Sequence, residues 1–148
     1  MCKFVQTHRR RRGFTLVELL VVIVVLAVLA AIVLPKFMDS SKRSKESALK
    51  NDLKILRNSI SAFQADTGTY PKTFADLAAT SAPAKGLDTA GTDATITAGD
   101  WHGPYVQEVP KDPISAADFT YGITSPNVGK VTSSATGNGL DGTPYSGW

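Results

Sequence analysis

The chain has 148 residues, 43% of them hydrophobic, with a formal net charge of +3, which is room for one domain beside whatever the N-terminus does. Lys3, Arg9, Arg10, Arg11 and Arg12 precede residue 13 with no acid among them, and the remainder carries eleven basic residues against thirteen acidic, a net of −2. The basic character belongs to a short leader and gives no ground for a nucleic-acid partner, while a single cysteine, Cys2, excludes an internal disulfide and a thiolate metal site.

Residues 9 to 34 read RRRRGFTLVELLVVIVVLAVLAAIVL, and Leu19 to Leu34 are sixteen consecutive apolar residues. As a helix, Phe14 to Leu34 reaches about 31 Å at ~1.5 Å per residue, close to the hydrocarbon thickness of a bilayer. The arginine run beside it favours a cytoplasmic N-terminus, although Lys36, Lys42, Arg43, Lys45 and Lys50 follow on the other side. The run is longer than an ordinary signal-peptide core, and Ala30-Ala31 is a poor cleavage site so close to Pro35. Neither a signal peptide nor a plain anchor accounts for Glu18, a carboxylate that costs roughly 2.5 to 3.5 kcal/mol at mid-bilayer. Thr15-Leu-Val-Glu18 also fits a capping box at a helix start, with the acid at the positive end of the helix dipole. That local role leaves room for another.

Arg12-Gly13-Phe14-Thr15-Leu16-Val17-Glu18, followed by the apolar run, resembles the prepilin leader of type IV pilins and type II secretion pseudopilins. The resemblance implies cleavage after Gly13 by a membrane aspartyl prepilin peptidase and N-methylation of the new terminus, Phe14. It also implies retention of the apolar segment, first in lipid and then in the core of a filament of copies of the chain. Gly13 offers a protease an unhindered backbone. In this family setting Glu18 pairs with the Phe14 amine of a neighbouring subunit, and a buried charge that closes in one axial offset selects a register. Further implied partners are the inner-membrane assembly platform and other pilin-like subunits. The implied location is the bacterial inner membrane, single-pass, with a periplasmic head, and later a periplasmic or extracellular filament.

Pro35 either stops the helix at the membrane surface or stands as a weak point in a helix that continues, the latter being the family's use of it. Beyond it, Leu49, Leu53, Leu56, Ile60 and Phe63 step by 4, 3, 4 and 3, the stripe of an amphipathic helix with one buried face. Asp39/Arg43, Lys42/Glu46 and Glu46/Lys50 read as i,i+4 pairs on the exposed side, each contributing about 0.3 kcal/mol. Gly68 supplies a left-handed C-cap, so Phe14 to about Asp66 is expected as one long kinked helix.

The head then runs from residue 68 to 148. Tyr70-Pro71 turns the chain, and Thr73-Phe-Ala-Asp76 starts a short helix ending near Ala79. Residues 80 to 100 lack periodicity and read as a surface loop. Phe119 to Thr124 and Val128 to Ser133 are strand candidates around a turn at Pro126-Asn127. The expected fold is α+β: a long N-terminal helix, its second half packed on an antiparallel sheet of about three strands. The implied boundaries are 1–13 for the leader, 14–35 for the transmembrane and filament-core helix, 36–67 for the amphipathic helix and 68–148 for the head.

Gly68-Thr-Tyr70-Pro71 and Gly103-Pro-Tyr105-Val-Gln-Glu-Val-Pro110-Lys-Asp-Pro113 resemble segments of major pseudopilins and their short pilin relatives. Heads of that group bind calcium in a C-terminal loop, and Asn138-Gly-Leu-Asp141-Gly142 is the nearest match here. It offers one carboxylate where calcium takes about six to eight oxygens, so a site needs Asp118 or Asp112 folded in; otherwise the segment is an Asp-Gly turn and no cofactor is expected. No nucleophile–base pattern, metal-spaced cluster or phosphate loop is visible, and His102 is the sole histidine past the leader, so an enzyme is not expected. The reading is a filament subunit that drives protein export. A surface pilus for adhesion, motility or DNA uptake is the alternative. A membrane-anchored binding module using Trp101, Tyr105, Tyr145 and Trp148 is a second.

Overall fold

The computed structural model describes residues 13–148; the arginine leader lies outside the described residues. The described residues divide into two compact units, the first ending at Ser40 and the second running Ser41–Trp148. One helix, α1 (Leu16–Thr67, 52 residues), supplies the regular structure of the first and opens the second. It is helical through position 35, so Pro35 does not stop it. The missing N–H forfeits one hydrogen bond, and the helix continues on both sides of it.

In the first unit Thr15 caps α1. Its hydroxyl oxygen accepts the Glu18 N–H at 3.2 Å, and its carbonyl accepts the Leu19 N–H at 3.2 Å. The large apolar side chains from Leu16 to Leu34 are all between 42% and 80% exposed. This is the one helix among the described residues long and apolar enough to cross a membrane.

The second unit builds its core on the expected stripe. Leu49, Leu53, Leu56, Ile60 and Phe63 are each no more than 3% exposed and pack with Leu77, Ile96, Val106, Phe119, Val131, Ala135 and Tyr145. Burying one such side chain contributes roughly 1.5–3 kcal/mol, so this stripe fixes the head to the helix. α1 ends as read: Gly68 has φ +71° and donates its N–H to Gln64 O at 2.9 Å, a conformation that favours glycine. A 3-10 turn follows at Phe74–Leu77, with a capping box between Thr73 and Asp76.

The sheet departs from expectation. In place of one sheet of about three strands there are two antiparallel pairs: β1 (Lys85–Leu87) with β2 (Asp93–Thr95), and β3 (Thr120–Tyr121) with β4 (Val131–Thr132). Tyr70 extends the first pair, exchanging backbone bonds of 2.8 and 2.7 Å with Leu87. Residues 85 to 95, the middle of the segment read as a loop, are therefore a hairpin. Lys-Gly-Leu and Asp-Ala-Thr carry little β-propensity, and the turn holds them instead. Asp88 Oδ1 accepts the N–H groups of Ala90 and Thr92 at 2.9 and 2.8 Å, with Gly91 at φ +86°. Lys72 and Lys85 both reach Asp93 from outside. The β3–β4 strands fall inside the expected segments but are two residues each, because the connection folds back on itself through Gly122 N–H to Lys130 O and Gly129 N–H to Gly122 O, each 2.9 Å.

Candidate functional site

Two clusters of residues bear on function. The first is the N-terminal end of α1. Gly13 and Phe14 precede the helix in exposed, irregular chain, the condition a protease needs to bind an extended backbone. Glu18 stands at the third position of the first turn, exposed. Its backbone N–H completes half of the capping box. Its carboxylate has no hydrogen bond or ion pair among the described residues, so the acid-to-backbone half of the box is not made. A carboxylate on an otherwise apolar helical surface, aligned with the helix dipole but unpaired, suits a partner cation.

The second cluster lies where the C-terminal segment meets α1 in the head. Glu46 is 8% exposed, and its Oε1 accepts both the Leu140 N–H and the Tyr145 hydroxyl at 2.9 Å. Lys42, one turn before it, donates from Nζ to Asn138 O at 3.1 Å. Lys50, one turn after it, sits 3.9 Å from Asp141 Oδ2 and 4.1 Å from the Trp148 ring centroid. Trp148 Nε1 donates to Thr143 Oγ1 at 2.6 Å, and its ring meets Tyr145 edge-on at 5.1 Å. The expected surface pairs Lys42/Glu46 and Glu46/Lys50 are thus replaced by contacts to the tail. Glu46 belongs to the buried stripe, three residues before Leu49 and seven before Leu53. A carboxylate there must find buried donors. Tyr145 responds: burial first, then the Glu46 carboxylate, push its hydroxyl up to about 12.

Asp112 is a buried anchor that sequence reasoning left aside except as a metal ligand. It is 0% exposed, and its carboxylate accepts from the Ser133 hydroxyl and from the N–H groups of Ile114 (2.8 Å), Ser115 (3.2 Å) and Ser134 (3.1 Å). Burial pushes its carboxyl up, but these four donors outweigh burial and hold it below the ordinary carboxylate value. Pro113 beside it and the serines at 133 and 134 were the available signal for an Asx-type anchor.

The donor set near Asp141 does not fit calcium. Its Oδ1 accepts from Thr143 N–H at 3.0 Å and Thr143 Oγ1 at 2.6 Å, and the Lys50 ammonium faces Oδ2. These contacts, with Lys50, hold its carboxyl low. Asp112 spends its oxygens on its own turn and on Ser133 and Ser134. No three histidine, cysteine, aspartate or glutamate side chains gather for a metal among the described residues.

His102 is exposed, its Nδ1 3.6 Å from Asp66 Oδ2, which also accepts the Tyr105 hydroxyl at 2.8 Å. Tyr105 and Trp101 pack against the core, as do Tyr145 and Trp148; the four aromatics serve the fold before any ligand.

Comparison with known proteins adds two adjoining matches. Residues 8–34 match the prokaryotic N-terminal methylation motif. Residues 36–145 match the family described as type II secretion system (T2SS), protein G. Among curated relatives, a type II secretion system core protein G from Aeromonas hydrophila is 32% identical over 105 residues, covering 71% of this chain and 68% of that protein. One from Vibrio cholerae is 28% identical over 145 residues, covering 88% and 92%. The type IV major pilin protein PilA of Myxococcus xanthus is 41% identical over 61 residues, 41% of this chain and 28% of that pilin. No solved structure matches.

Proposed function

Because the chain belongs to the type II secretion system protein G family, we propose that it is a pseudopilin made as a membrane-anchored precursor, cut after Gly13 by prepilin peptidase and N-methylated at Phe14. The mature subunit then leaves the inner membrane through the assembly platform. It polymerises with copies of itself and other pilin-like subunits into a short fibre that works as a piston or plug in protein export. The N-terminus faces the cytoplasm and the head the periplasm.

The observation that carries this reading is Glu18, a carboxylate without a partner among the described residues on an exposed apolar helix, four residues past the new amine that cleavage creates. In lipid it is a cost. In a bundle of copies, the Phe14 ammonium of a neighbour offsets that cost and sets the register. The role is structural, no catalysis is assigned, and no cofactor is required; chelation with EGTA is expected to leave the melting curve of the head unchanged.

Two variants test the reading. Gly13→Val is expected to remain uncleaved and membrane-retained; normal filaments from it would refute the processing step. Glu18→Val is expected to be processed but not assembled, whereas a single-span receptor is indifferent to it. The similarity to a type IV pilin over 61 residues supports a surface pilus as a second reading. Neighbouring genes separate the two: a secretin and secretion ATPase go with export, a retraction ATPase with a surface pilus.

A further inference from the structure

Charge is unevenly divided in the second unit. Residues 41–57, all on α1, hold six basic residues against two acidic, and residues 58–148 hold four basic against nine acidic. The helical cations are ordered. Arg43, Lys50 and Arg57 stand seven residues apart, and each such step returns to within about 20° of the same helix face. Lys54 lies on that face between Lys50 and Arg57, and Glu46 between Arg43 and Lys50; Glu46 is buried against the C-terminal segment, so the exposed charges of the row are all cationic.

Two of the four are already held in place. Lys50 stands over the Trp148 ring, and Arg57 donates from Nη2 to Val131 O at 2.9 Å. With Leu53 and Trp148 they line a cleft of about 360 Å³. The other two, Arg43 and Lys54, are exposed, and neither has a carboxylate within ion-pair distance among the described residues. The same is true, with opposite sign, of Asp100, Glu108 and Asp118, exposed carboxylates on the loops beyond the helix. Each copy therefore carries a cationic row with a pre-set cleft at its middle, and a complementary set of carboxylates it does not use internally.

We infer that the row Arg43, Lys50, Lys54 and Arg57 is a docking surface for the carboxylates Asp100, Glu108 and Asp118 of a second copy of this chain. The inference rests on the reading above that copies assemble. Anionic lipid is the other chemistry that fits a cationic row. A second copy is favoured because the same chain supplies the countercharge in fixed proportion, and because a cleft walled by Leu53 and Trp148 suits a side chain more than a diffuse headgroup layer. Complementary charge of this kind steers encounter and selects register, and it weakens with salt.

The test uses the full-length chain in its membrane, with assembly read as sheared or pelleted polymer and folding read by a thermal melt. Both R43E/K54E and D100K/E108K/D118K are expected to fold and to be processed, yet to give at least about tenfold less polymer, the scale expected when like charges are juxtaposed. Combining all five changes in one chain restores complementarity and is expected to recover polymer. Parent-level assembly by R43E/K54E overturns the inference while leaving the pseudopilin reading intact. So does a failure of the combined variant to recover, or polymer yield that follows the phosphatidylglycerol content of reconstituted vesicles rather than the head carboxylates. A parent chain that never polymerises counts against the pseudopilin reading instead. The contact is then read directly with Lys54→Cys on one copy and Glu108→Cys on another under copper-phenanthroline: an interchain disulfide supports it and none overturns it.

Discussion

Glu46 and Tyr145, 99 positions apart, share a hydrogen bond of 2.9 Å in the interior of the head, and the same carboxylate oxygen takes the Leu140 N–H. This pair does for the C-terminal segment what a disulfide does elsewhere, in a chain whose one cysteine sits at position 2. Lys42 and Lys50 secure the segment one turn to either side. Glu46→Ala removes the acceptor of the buried Tyr145 hydroxyl and of the part-buried Leu140 N–H, so it is expected to cost about 1–3 kcal/mol. A thermal melt of the full-length chain in detergent checks this, with Glu46→Gln losing less because it keeps an acceptor oxygen.

The Tyr145 hydroxyl also gives the head an alkaline limit. Its folded value, about 12, lies above the ordinary 10.0. The unfolded chain therefore releases this proton first as pH rises, so stability is full below pH 10 and declines toward pH 12. Tyr121 and Tyr105 are shifted in the same direction, chiefly by burial. Tyr145→Phe is expected to lessen the slope of melting temperature against pH above 10 without abolishing it; an unchanged slope contradicts the assignment.

At the acid end Asp112 contributes as a buried carboxylate. Its carboxyl is held low, so its contribution is present above the ordinary carboxylate value of 3.8 and is lost as pH falls below that toward the folded value. Asp112→Ala leaves three backbone N–H groups and the Ser133 hydroxyl without their acceptor and is expected to cost about 3 kcal/mol or more at neutral pH. Asp52 moves the other way, pushed up by burial and then by the Asp112 charge. Asp52→Asn is accordingly expected to be neutral or slightly stabilising. Paired pH-dependent denaturation curves of the two variants test both signs.

The stripe on α1 gives the largest effect. Leu56 is fully buried; Leu56→Ala is expected to cost about 2–5 kcal/mol through lost burial and a cavity, and Leu56→Asp to unfold the head. An undisturbed circular dichroism melt for Leu56→Asp contradicts the packing described above.

What the sequence disclosed and withheld follows from the range of the forces involved. The stripe from Leu49 to Phe63 was legible because helical periodicity is local, as were the C-cap at Gly68 and the hydroxyl cap at Thr15. The β1–β2 hairpin was not, since Lys-Gly-Leu and Asp-Ala-Thr are poor strand formers and pair through a turn built by Asp88 and through Lys72, 21 residues away from Asp93. Glu46 read as a surface charge because its partners, Leu140 and Tyr145, are brought to it only by the tertiary fold. The Gly13–Glu18 segment was legible as a pattern, yet its chemistry depends on a neighbour that a single copy does not contain.

The measurement closest to the central claim is the N-terminal mass of subunits recovered from assembled polymer. The expected result is a chain that begins at Phe14 bearing a single methyl group on its amine, with Glu18→Val subunits processed in the same way but absent from polymer. Polymerised subunits that still carry the arginine leader would contradict it.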